Sequence, residues 1–126
     1  MNIQHSNPQA LSLDLFWRWL KIHYNCIVRA GGEGCVVYDQ PYLHWHMIEE
    51  EDDLYIVQLI KGKDLITEIV IDARQIMYVE SSSHEDNNVL FELIGTIQNE
   101  PVSLFHFMMA HGYEEEEERS SSRWTH

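Results

Sequence analysis

Leu13-Asp14-Leu15-Phe16-Trp17-Arg18-Trp19-Leu20-Lys21-Ile22-His23-Tyr24-Asn25-Cys26-Ile27-Val28-Arg29 is the stretch on which the fold turns. Leu13, Phe16, Trp17, Leu20, Tyr24, Ile27 and Val28 recur at spacings of three and four, the period that gathers side chains on one face of an α-helix. A second apolar stripe runs through Leu15, Trp19, Ile22 and Cys26. Asp14, Arg18, Lys21, Asn25 and Arg29 are left as a narrow polar strip. Asn7-Pro8 or Ser12 can open the helix, and Gly31-Gly32 beyond it reads as a C-cap, because glycine takes positive φ without strain. The expectation is one long N-terminal helix, apolar around most of its circumference. Such a helix has to pack against two elements at once.

Outward from the glycines the pattern changes. The runs 35–38, 42–48, 54–60, 65–71, 75–80 and 89–97 are short and rich in β-branched and aromatic residues, with polar or glycine-containing turns between them. Within 42–48, Leu43, Trp45 and Met47 alternate with Tyr42, His44 and His46. Residues 54–60 are apolar on both faces, as in a strand covered on both sides. The segment 102–111 fits a hairpin strand through Val102, Phe105 and Phe107. Pro101 before it, Met108-Met109-Ala110 within it and Gly112 after it favour a short helix, which is the reading adopted. Short links between neighbouring strands imply antiparallel pairing. The predicted architecture is α+β: the long helix packed on an antiparallel sheet of five to six strands, as two layers or a half-open barrel, with a short C-terminal helix. Residues 1–10 read as a flexible N-terminus, 11–113 as the single domain, and 114–126 as a disordered acidic tail.

The net charge is −13, but ten of the twenty-one acidic residues lie in two runs, Glu49-Glu50-Glu51-Asp52-Asp53 and Glu114 to Glu118. Charge of this sign repels phosphate, which argues against nucleic acid and anionic membrane surfaces as partners. Its bunching also lacks the regular spacing that a mimic of nucleic acid needs, so that reading ranks last. No uncharged stretch approaches the roughly 20 apolar residues of a membrane span. Residues 1–10 lack a basic segment followed by an apolar run, so no signal peptide is expected. Cys26 and Cys35 are too few for a disulfide framework and form no CxxC pair. A cytoplasmic protein is the expectation.

The sharpest chemical pattern is His44-Trp45-His46 with Glu50. On a strand the two imidazoles point the same way and Glu50 has the same parity, so together they could offer two nitrogens and a carboxylate to one metal. The spacing resembles part of the first metal-binding motif of the cupin superfamily, with its HxH and a Glu four residues on. That resemblance implies a small metal-dependent enzyme. It covers about seven residues: the glycine expected after the Glu is absent, and no second motif of Pro, Gly and His follows. The reading adopted puts His44 and His46 on the polar face of an amphipathic strand, with no cofactor, and a transition metal only under the alternative.

His23 reads as a half-buried core histidine, His111 as a cation near a helix C-terminus, and the cysteines as small hydrophobes. No nucleophile elbow is present, and Gly31-Gly32-Glu33-Gly34 follows a helix, the wrong order for a phosphate cradle. The functional expectation is therefore a non-enzymatic interaction protein (an adaptor, regulator or assembly subunit) that binds a protein partner or itself. Its contact residues would be Trp17, Trp19, Ile22 and Cys26, on a helix with more apolar surface than one sheet needs.

Overall fold

The computed structural model describes residues 9–114, so the predicted acidic tail beyond Glu114 lies outside the described residues. Nine strands are present among them: β1 (Gln9–Leu11), β2 (Ile27–Gly32), β3 (Cys35–Tyr38), β4 (His44–Glu50), β5 (Leu54–Lys61), β6 (Asp64–Asp72), β7 (Tyr78–Ser83), β8 (Val89–Ile97) and β9 (Glu100–Met109). They form two antiparallel sheets, neither closed, in the orders β1-β7-β8-β9-β2-β3 and β4-β5-β6. Strand makes up 58% of the structure and helix 18%, which corrects the predicted α+β layer of one long helix on one sheet.

Helix α1 (Leu13–Ile22) begins at Ser12, whose extended backbone lets its hydroxyl accept the Leu15 N–H at 3.1 Å. Asp14 in the first turn and Lys21 in the last suit the helix dipole. The helix does not run on to Arg29. The His23 N–H bonds back to the carbonyls of Trp19 and Leu20, and a 3-10 turn, Tyr24–Cys26, leads into β2. Ile27 and Val28 continue the helical period, but they are β-branched. As a strand, β2 pairs on one side with β9 and on the other with β3, and buries Ile27 and Ala30. Gly31 and Gly32 are accordingly strand residues and no C-cap. A Cβ on Gly31 would lie 2.2 Å from the Cys35 carbonyl oxygen and 3.0 Å from His106 Cε1, so close approach of backbones requires the glycine.

The predicted C-terminal helix is also corrected, because 102–111 belongs mostly to β9. Gln98 and Asn99 both take left-handed φ (54° and 68°), the geometry of a two-residue hairpin turn, and return the chain along β8. Pro101 is tolerated there because it lies past Gly32↔Phe105, where the ladder with β2 has ended.

Helix α1 lies between the two sheets. Phe16 meets Phe91 and Phe107 of the larger sheet at centroid distances of 4.9 and 5.7 Å, and Trp19 meets Phe91 at 5.3 Å. On the opposite side Trp17 stacks on Tyr55 of β5 at 4.6 Å and donates its indole N–H to Glu49 at 2.8 Å. The wide apolar circumference of the helix thus serves two sheets, and one cluster of buried residues draws on all three layers. Each buried aromatic removes roughly 150–250 Å² from water, stabilising the fold by several kcal/mol. Among the described residues no helix is long and apolar enough to cross a membrane.

Candidate functional site

His44 and His46 do share the outward face of β4, with Glu50 on the same side. Glu50 is four residues beyond His46, about 13 Å along an extended strand. The His46 ring instead lies 3.4 Å from the Gln58 side-chain oxygen, and the Gln58 amide donates to Glu68 at 3.0 Å. The three predicted ligands are therefore spread along an edge strand. Of the predicted contact residues, Trp17 and Trp19 are 1% and 0% exposed and belong to the core, Cys26 is half-buried, and Ile22 alone stands out into solvent.

The smaller sheet has a different surface to offer. Its inner face carries Trp45, Met47, Tyr55, Val57, Leu59, Ile69 and Ile71 against the helix. The register sets its outer face in cross-strand rows: His44–Ile60–Leu65, His46–Gln58–Glu68, Ile48–Ile56–Val70 and Glu50–Leu54–Asp72. Ile56 is buried among its neighbours and Ile48, Leu54 and Ile60 are half-buried, while Leu65 and Val70 are 53% and 46% exposed. Apolar residues on both faces of β5 are what a doubly covered strand requires, and among the described residues only the face toward the helix is covered by another element. Acidic residues crowd one end of this face, at the turn Glu51–Asp53. Lys61 and Lys63 lie at the other, offset in part by Asp64.

A third region gathers chemistry that the sequence reading passed over. His23 just past α1, Cys26 in the 3-10 turn and His111 just past β9 bring one ligand atom each to within 4.8 Å of one another, the one such group of three among the described residues. His111 Nε2 is 3.2 Å from Cys26 Sγ. Its Nδ1 lies 3.1 Å from the Gly112 carbonyl; a carbonyl only accepts, so Nδ1 carries a proton, and in the neutral ring the Nε2 lone pair faces the thiol. Backbone bonds hold the group together, Cys26 N–H to His23 O at 2.8 Å and Ala110 N–H to Cys26 O at 2.9 Å. Trp19 closes one side, with its indole 4.8 Å from the His23 ring and edge-on to His111 at 5.7 Å. His111 is not at a helix end, as the sequence suggested, because the segment before it is a strand. The available signal was His23-x-x-Cys26, a short spacing common among metal ligands.

Two electrostatic features frame these regions. Hydrogen bonds from Lys21 and then from Trp17 hold the Glu49 carboxyl below its ordinary range. On the outer face of the larger sheet, burial and then the nearby Arg29 charge push the His106 imidazole down from its usual value, against a smaller pull from Glu92. No family model, curated relative or solved structure matches this chain.

Proposed function

We propose that this protein is a non-enzymatic interaction protein, a small assembly subunit, which associates through the outward face of its three-stranded sheet with a second copy of itself. The observation that carries the reading is β5, built apolar on both sides and, among the described residues, packed against the helix on one, with half-buried Ile48 and exposed Val70 flanking the buried Ile56 in a row across all three strands of the outer face. Charge favours a second copy as the occupant. Two copies packed face to face with strands reversed set the acidic turn Glu51–Asp53 of each over Lys61 and Lys63 of the other. Size limits the strength. Three strands of about seven residues present roughly 300 Å², well short of the roughly 800 Å² per partner of a standard interface. The association is therefore weak and reversible.

Sedimentation velocity from about 10 µM to about 1 mM, in salt that screens the net charge of each copy, tests the proposal. The expected result is a monomer–dimer equilibrium across that range. A double variant, Leu65→Asp with Val70→Glu, should remain monomeric with an unchanged circular dichroism spectrum, since both side chains are outside the core. A wild-type chain that stays monomeric at about 1 mM would overturn the self-association and leave this face to a different protein.

A further inference from the structure

We propose that His23, Cys26 and His111 form a binding site for Zn(II), independent of the sheet face. The donor set is two imidazoles and one thiolate, the mixture of nitrogen and soft sulfur that zinc prefers over magnesium or calcium. Tetrahedral zinc with bonds of about 2.0–2.3 Å places its ligand atoms roughly 3.3–3.6 Å apart. Cys26 Sγ and His111 Nε2, 3.2 Å apart, are already close to that spacing, and all three ligand atoms lie within 4.8 Å. Small rotations of the side chains complete the fit.

Proximity alone does not make a site, and the surroundings carry the case further. Imidazoles that bind metal commonly give their second N–H to a backbone carbonyl, which fixes the tautomer and aims the ring. The bond from His111 Nδ1 to Gly112 O does this, so the ring needs no rearrangement of its protons to accept a cation at Nε2. His23 and Cys26 sit on one turn closed by a 2.8 Å backbone bond, and that turn is tied by another to Ala110, next to His111. Three ligands, two from the turn after α1 and one just past β9, are therefore pre-positioned by the backbone. Trp19 covers the group from the core side.

Binding replaces a proton by the metal. The Cys26 S–H bond breaks, the sulfur lone pair forms the S–Zn bond, the proton passes to solvent, and nothing is oxidised or reduced. Three protein ligands leave one tetrahedral position, which water fills. Because the thiol must lose its proton and the imidazoles must be neutral, affinity falls as the pH is lowered.

The test uses the full chain without an affinity tag, stripped with a chelator and kept reduced. Titration with Co(II) should give a thiolate-to-cobalt charge-transfer band that saturates at about one equivalent and is removed by about one equivalent of Zn(II). Alkylation by iodoacetamide, followed by mass spectrometry, should slow about tenfold or more at Cys26 when Zn(II) is added, with the exposed Cys35 as an internal control. Cys26→Ser should abolish the band and His111→Gln should weaken Zn(II) binding about tenfold or more, whereas Cys35→Ser should change neither. If Cys26→Ser does not fold, the Co(II) spectrum and the alkylation pattern of the wild-type chain still decide. Absence of the band, its survival in Cys26→Ser, or its loss in a His44→Gln and His46→Gln double variant would each overturn the assignment.

Discussion

Two sets of histidines in this protein invite comparison. His44 and His46 are two residues apart, point the same way and stand in solvent on an edge strand. His23 and His111 are distant in the chain, half-buried and at elements' ends, yet their rings lie 5.0 Å apart with a thiol between the elements that carry them. Closeness in sequence produced a pair without a third ligand, because an extended strand carries the next carboxylate away at about 3.3 Å per residue. Closeness in space came where the turn after α1 meets the end of β9. A converging site is more readily made by ends and turns than along one strand.

Trp19 is the wall behind His23 and His111, and among the described residues no counterpart stands behind the exposed His44 and His46. Trp19→Ala opens a large cavity and should destabilise the fold by about 3–5 kcal/mol, read as a lower urea midpoint. A loss below about 1 kcal/mol would mean that Trp19 does not seal the cluster to the core. Next in size is the response to zinc. At a free concentration about 100 times its dissociation constant, Zn(II) should stabilise the wild-type chain by about 2.7 kcal/mol and a His44→Gln and His46→Gln double variant equally. The stabilisation should vanish in Cys26→Ser, and a thermal melt in the two conditions checks it.

His106 sharpens the contrast from another side. Burial first, then Arg29, holds its pKa below the ordinary 6.5, so below that pH the unfolded chain binds a proton that the folded chain resists. Its contribution should thus be favourable above pH 6.5 and lost as pH falls through the window down to the lowered pKa. In His106→Gln the fall in stability between about pH 7 and about pH 5 should be shallower than in the wild type. An identical slope would show that His106 is as well hydrated as a surface histidine. The smallest effect is expected at the exposed pair: without metal, His44→Gln with His46→Gln should alter stability by no more than about 0.5 kcal/mol. A larger loss would mean that the row through Gln58 and Glu68 matters to the fold.

The outward sheet face was half legible in the sequence. Apolar residues on both sides of 54–60 were visible, but which side would be left open depended on where α1 settled. The tryptophans misled for the same reason. Trp17 and Trp19 signalled more apolar surface than one sheet requires, and the second sheet took it up.

By itself the sequence determined what local chemistry can decide. A helix starts near Leu13, with Ser12 as one of two possible openings, alternation at 42–48 makes a strand with His44 and His46 on its polar side, and the charge lies in two short runs. Where α1 stops, what 27–32 and 102–111 become, and that Cys26 meets His111 were decided only by the tertiary structure. Ile27-Val28 satisfies the periods of helix and strand alike over so short a span, and the choice falls to whichever neighbour can pair its backbone. That neighbour is β9, whose own identity depends on β8 and β2, so neither segment could be assigned without the other.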